Sequence, residues 1–453
     1  MTSPVSIDLA SFERLLRTTV SASFIDELCQ KHKIRLRKGI YGLAVVVWLM
    51  IYQRLNGKRT LASAVQFLAR QAVHWQRRPG VGKRVREGRI STRTGGYCRA
   101  RRKMPRLVAS SVCDHIFEQL RGLMQEHLPD VPQPVLVIDG TTVQLSHERE
   151  LVRQFPPGRN QHGDNHWPTM LLVTFHDAHT GLAMRPSWGP MYGKRAVSEQ
   201  ELAREALGRL PENAIVLADG NFGIFVIAFT VQQSQRPMLF RLTASRAQKV
   251  LGGQPLRPGR RRKVAWEASG YERKMHPDLP EAAVVQGWVV ACRNPADKRE
   301  MLYLFTTLDV KVKRTLALYK LRWNIEIDLR SLKCTVELHR IPCKTTAMVE
   351  KEVLMAVCAY NVVRAVMYLS ASTAGLKARQ LSFSTAQDAV MAAWPYLQRA
   401  HTQAEFHKEL ERLLQVVAQA KLPERRRRHS YSRDIWGRGG HFPFRRSRKK
   451  EAR

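Results

Sequence analysis

Residues 135–145 read VLVIDGTTVQL, and residues 214–223 read AIVLADGNFG. In each, an apolar run of strand length leads to an aspartate followed by glycine: Asp139 before Gly140, and Asp219 before Gly220. A carboxylate just past a buried strand is held by the sheet yet faces outward at the C-terminal edge, where open α/β sheets bind their ligands. Singly, Asp before Gly is an ordinary turn former. Two of them at equivalent places in one chain make a candidate site.

The segments around this pair set the fold class. TMLLVTFHD (169–177) and LAMRPSWGP (182–190) predict two more strands separated by turn signals. SEQELAREALGRL (198–210) predicts a helix with Ser198 as N-cap and Glu201 completing a capping box. VIAFTVQQSQ then reads as a helix and MLFRLTA as a strand. Three strands, helix, strand, helix, strand describe a mixed sheet with helices packed on it, an α/β fold. Residues 245–310 begin rich in Gly and Pro (LGGQPLRPGRRRKV) and turn strand-like (AAVVQGWVVACR, MLYLFTTL), which predicts a β-rich insertion in the α/β unit. On this reading residues 1–130 are a helical N-terminal region, 131–344 the α/β domain with its insertion, 345–424 a helical region, and 425–453 a basic, Gly- and aromatic-rich tail, disordered in isolation.

A third carboxylate comes from LYKLRWNIEIDLRSLK (318–333), which lacks Pro and Gly and reads as helix. At about 100° per residue from Tyr319, Arg322 falls near 300°, Glu326 near 340° and Lys333 near 320°, one stripe about 60° wide. Asp328 falls on the opposite side, at about 180°. It is expected there to make surface contacts or to pair with Lys or Arg, and to be nearly dispensable. On its own the stripe is an ordinary set of i, i+4 ion pairs. With Asp139 and Asp219 it supplies the three hard oxygen donors that two Mg²⁺ ions require, and such a pair can activate an attacking oxygen and stabilise a leaving one at a phosphodiester.

Charge names the partner. The 75 Lys and Arg against 38 Asp and Glu leave a net charge of +37, which predicts a polyanion, DNA or RNA, because phosphate neutralisation supplies most non-specific affinity. The stretch RRPGVGKRVREGRISTRTGGYCRARRKMP, with Trp75 and Tyr97 nearby, reads as a Gly-broken basic loop able to track a phosphate backbone. Seven scattered cysteines without a CxxC pair suit a reducing cytoplasm. The apolar run Ile40–Tyr52 is too short for a bilayer, which needs roughly 20 residues. It predicts a buried helix and no membrane partner.

The spacing Tyr319, Arg322, Glu326, Lys333, or Y-x2-R-x3-E-x6-K, resembles the signature of the IS4 family of insertion-sequence transposases. VIDGTTVQL and VLADGNFGIF resemble that family's first and second Asp motifs, and GGYCRARRKMP a segment that precedes them. The resemblance implies an RNase H-like fold with a DDE triad of Asp139, Asp219 and Glu326 as catalytic metal ligands, served by two Mg²⁺ ions for which Mn²⁺ substitutes. It implies that Tyr319 and Arg322 contact the transposon-end backbone and Lys333 a phosphate near the cut. Trp323 would be a stacking residue for a distorted base or plain core packing. The implied activity is a DNA transposase that cuts at terminal inverted repeats and joins the freed 3′-OH to target DNA. It would act in the bacterial cytoplasm, at the nucleoid, as a homodimer in the synaptic complex.

Two other classes are weighed. A metal-dependent nuclease shares the cutting chemistry without the joining, and an inactive DNA-binding relative shares neither. HGDNH (162–166) and HDAH (176–179) invite a zinc reading, but neither has an established zinc spacing, and both read as loop histidines.

Overall fold

The computed structural model describes residues 22–423 apart from 36–38, 57–59, 76–82, 127–132, 161–162, 295–299 and 401. The basic tail and His162 therefore lie outside the described residues, as does part of the basic stretch after Trp75.

A nine-stranded sheet forms the centre. Its strands are β1 (Val135–Leu145), β2 (Thr169–Asp177), β3 (Ser187–Pro190), β4 (Ile215–Ala218), β5 (Met238–Leu242), β6 (Arg261–Glu267), β7 (Val284–Arg293), β8 (Met301–Thr306) and the short β9 (Arg340–Ile341). In space they run β3-β2-β1-β4-β5-β8-β7-β6, with β9 beside the far end of β1. The first three strands are antiparallel neighbours, and β1, β4 and β5 are parallel. This order, three antiparallel strands followed by two parallel ones, is the RNase H-like arrangement. Strands β8, β7 and β6 continue the same sheet beyond β5 by antiparallel pairing, so the β-rich segment extends the central sheet.

Sequence pattern explains the local structure. The VLVI run of β1 is buried because that half lies between β2 and β4, and a strand covered on both faces reads as continuously apolar. Helix α6 (Glu199–Leu207) begins where expected, with both halves of the Ser198/Glu201 capping box formed. The third strand is shorter than its sequence suggested. Residues 182–186 contribute only a bridge between Ala183 and His176 before β3 begins.

Helices cover both faces. One face carries α7 (Phe225–Gln233), α6 and the long α12 (Thr346–Thr373), around which pack α2 (Leu43–Leu55), α4 (Gly95–Lys103), α5 (Arg106–Glu126), α13 (Phe383–Arg399) and α14 (Gln403–Gln419). Helix α12 has 28 residues and is apolar enough to cross a membrane by composition, but 94% of its most apolar window is buried inside the protein. A helix apolar all round is a core helix when its neighbours cover it. The run from Ile40 is likewise the buried α2.

Part of the basic stretch is core and not loop. GGYCRARRK forms α4, Tyr97 is fully buried and donates its hydroxyl hydrogen bond to Gln53 Oε1 at 2.7 Å, and Arg101 pairs with buried Glu352 on α12. Glu352 is shared with Arg54 on α2. The aromatic ring and one of the arginines expected at DNA are therefore used to clamp three helices together.

Candidate active site

The sheet register brings Asp139 and Asp219 together. In the parallel pair of β1 and β4, Val135, Leu136 and Val137 face Ile215, Val216 and Leu217. Asp139 lies two residues beyond Val137 on β1 and Asp219 two beyond Leu217, just past β4, and the charge of Asp219 reaches Asp139. Strand β4 stops at Ala218, whereas β1 continues through Asp139 to Leu145 along β2. Asp139 is thus not past the end of its own strand, as DG suggested. It sits where β1 loses its parallel neighbour.

Alternation decides which way the two carboxylates face. Val135, Val137, Ile215 and Leu217 share a core cluster with Leu318, Tyr319, Ile325 and Leu329. Asp139 and Asp219 continue those two rows, so they lie toward the helical segment that carries Glu326.

That segment is helical throughout but not uniformly α. Helix α10 (Val312–Lys320) passes into a 3₁₀ turn at Leu321–Trp323, then α11 (Asn324–Arg330), then a π turn at Ser331–Thr335. Tyr319 is 5% exposed beneath it. Burial pushes that phenol up to about 12 against the opposing pull of Arg322 and Arg241, with Asp219 adding to the rise. Arg322 donates to Glu326 Oε1 at 3.3 Å, and its charge reaches Asp139 as well. Arg322 therefore links the aspartate pair to Glu326, whose side chain is 60% exposed at the rim. Lys333 lies in the π turn, half-buried and off the uniform winding that placed it in the stripe. Trp323 is 37% exposed, which rules out plain core packing for its ring.

Asp328 corrects the helical-wheel reading. It is 1% exposed and held by Arg379 through both carboxylate oxygens, with Arg364 at 3.6 Å and His176 at 4.0 Å. Pairing with arginine is as expected; the surface position is not. A wheel gives the angle between two side chains but not which of them faces the sheet, and Ile325, Asp328 and Leu329 are the buried side of α11. His176, expected in a loop, is on β2 and completely buried, with burial pulling its pKa down to about 4.

The aspartates are braced differently. Asp219 Oδ1 accepts the backbone N–H groups of Asn221 at 2.9 Å and Phe222 at 3.4 Å, so the carboxylate folds the turn that follows it. Arg246 donates to the carbonyls of Gly220 and Gly223 in that turn, at 3.2 and 2.7 Å. Asp139 Oδ1 accepts the N–H of Gly140 at 2.8 Å. Burial, then the nearby charges of Asp219 and Glu199, push the Asp139 carboxyl up to about 6, against that hydrogen bond and Arg322.

Glu199 was missed by sequence reasoning. It is the first residue of α6, and its charge reaches both Asp139 and Asp219. The only sequence signal was the helix start at Ser198, which locates the helix but not what its first turn faces.

Facing carboxylates whose charges repel are what a hard divalent cation relieves, so the donor set suits Mg²⁺ or Mn²⁺. Among the described residues no three His, Cys, Asp or Glu side chains are gathered closely enough to hold an ion. Glu326 in particular is engaged with Arg322.

The RNase H-like sheet thus turns two aspartates toward a helical segment that carries a third acid. The sequence matches the family described as Transposase DDE domain over residues 131–362, more than half of the chain. The chain belongs to the DDE transposase family. No curated protein matches it.

Proposed function

We propose that the protein is an insertion-sequence transposase of the IS4 type, which cuts DNA at transposon ends and transfers the 3′-OH to a target by a cut-and-paste route. The reading is supported by Asp139 on β1 and Asp219 just past its parallel neighbour β4, continuing the rows on the sheet face covered by the helix of Glu326. Asp139, Asp219 and Glu326 would hold two divalent ions, Mg²⁺ or Mn²⁺, which when bound lower the pKa of an attacking water or hydroxyl and offset charge on the leaving oxygen. The chain's own contributions are positional. The sheet fixes the two aspartates, and Arg322 holds Glu326 at the rim until substrate phosphate competes for the guanidinium. Exposed Trp323, before Glu326 on the same segment, and Lys333, after it, would contact a bound strand. The helical regions before and after the catalytic domain and the basic tail would grip the DNA, and two copies would synapse two ends.

The test is incubation of purified protein with Mg²⁺ and DNA carrying the repeats that flank its gene. Cut ends plus joined strand-transfer product support the transposase; cut ends alone indicate a nuclease, and intact DNA with retained binding an inactive relative.

A further inference from the structure

Strand β5 reads MLFRL, and its fourth residue, Arg241, is the one of the five that is not buried. The strand lies inside the sheet, between β4 and β8, where continuously apolar sequence is the rule. Alternation puts Arg241 on the face of Leu239, and antiparallel pairing sets it opposite Leu304 on β8. Leu239 and Leu304 belong to the cluster that includes Tyr319, Ile325 and Leu329, so Arg241 breaks the apolar pattern on the face of the candidate site. It lies one residue beyond Phe240, the partner of Ala218, and Asp219 lies one residue beyond Ala218. The charges of Arg241, Arg322 and Asp219 all act on the Tyr319 phenol. Across the adjacent strands β1, β4 and β5, this face therefore carries Asp139, then Asp219, then Arg241.

We infer that Arg241 is a phosphate-binding residue of the candidate active site, taking a phosphodiester of the bound strand next to the one held at the aspartates. In the free protein its Nη2 donates to Glu300 Oε1 at 2.7 Å. Glu300 directly precedes β8, and its other oxygen accepts from the side-chain amide of Asn294, just after β7, at 2.5 Å. The β-rich extension therefore holds Arg241 as Glu326 holds Arg322: both guanidinium groups have a solvent-accessible glutamate as partner. An accessible ion pair contributes little stability. A phosphate, which offers a guanidinium two parallel charge-assisted hydrogen bonds, can take the place of such a glutamate. A pair at the protein surface does not in itself call for a charge inside the sheet, next to the turn of Asp219. Arg322 acts on Asp139 and Arg241 flanks Asp219, so the two cations bracket the aspartates where a polyanionic strand would cross them.

The inference rests on the proposed reading of the site as one that acts on DNA, and the experiment keeps the two apart. Binding to a duplex carrying the repeats that flank the gene is measured by fluorescence anisotropy on the full chain, in Ca²⁺ and over a range of salt. The proteins are wild type, Arg241→Gln, Glu300→Gln and the double variant, each checked by thermal unfolding. Asp278→Asn, which frees Arg204 on α6, controls for the loss of one acid elsewhere. Arg241→Gln is expected to bind about tenfold more weakly at low salt, with the slope of log Kd against log salt smaller by about one. Glu300→Gln is expected to tighten binding more than Asp278→Asn does, and the gain to disappear in the double variant. Wild-type affinity and slope in Arg241→Gln overturn the inference. Should that variant fail to fold, binding by Glu300→Gln no tighter than by Asp278→Asn overturns it. The expected binding pattern together with a duplex left uncut by wild type in Mg²⁺ overturns the transposase reading alone.

Discussion

Asp328 accepts both prongs of the Arg379 guanidinium, 2.9 Å for Nη2 to Oδ2, in a fully buried position two residues from Glu326. Burial alone would raise this carboxyl, but Arg379 and Arg364 outweigh it and hold it below the usual range. The pair ties α11 to the segment following α12. Removing one partner leaves a buried charge uncompensated, so Asp328→Ala is expected to cost about 3–5 kcal/mol in urea unfolding. Because the folded pKa is depressed, the pair's contribution is present above the ordinary carboxylate pKa and is lost as pH falls through the folded value. Glu326→Ala, at an exposed side chain, should stay within about 0.5 kcal/mol of wild type.

Glu352 makes the matching prediction for the helical part of the molecule. Arg54 and Arg101 hold it from α2 and α4, and Lys351 donates to the carbonyls of Arg101 and Arg102 at the end of α4 at 3.1 and 3.0 Å. Glu352→Ala should lose about 3–5 kcal/mol by denaturant titration, whereas Glu409→Ala, from an exposed i, i+3 pair on α14, should lose less than about 1 kcal/mol.

Two glycines at the site should respond unequally to alanine. At Gly223 a Cβ meets the backbone carbonyl oxygen of Arg241, which cannot step aside; at Gly140 it meets the tip of the Glu199 side chain, which can. Gly223→Ala is therefore expected to lower the thermal midpoint by several degrees, in the range of about 1–3 kcal/mol for overpacking. Gly140→Ala should lower it less, and not at all in a Glu199→Ala background.

The Asp139 carboxyl, raised to about 6 by burial and its acidic neighbours, sets a pH dependence. Protonation competes with any cation, so apparent Mn²⁺ affinity should fall by up to about tenfold per pH unit below 6 and level off above it. In the metal-free protein the sign for stability is the reverse of Asp328. The folded state binds the Asp139 proton more tightly than the unfolded state, so this group's contribution is lost as pH rises from about 4 to 6. Asp139→Asn should abolish both effects, read by calorimetry and by unfolding at each pH.

Much of this was legible in the sequence, and the misses share a cause. β2 and the capping box of α6 match their predicted bounds because strand alternation and capping are local. The pairing of Asp139 with Asp219 was suggested by two similar strand ends and is explained by register. Glu199 was invisible, since only the packing of α6 against β1 brings it over Gly140. Asp328 and Tyr97 were misplaced for the same reason. Periodicity separates the sides of a helix, but the sheet and neighbouring helices decide which side is buried.

Asp139, Asp219 and Glu326 are proposed to form one metal-dependent catalytic triad. The most direct measurement is Mg²⁺-dependent cleavage of end-bearing DNA by Glu326→Ala, with DNA binding followed in parallel by electrophoretic shift. Cleavage should be lost while binding and folding persist; cleavage at the wild-type level in that variant would overturn the triad.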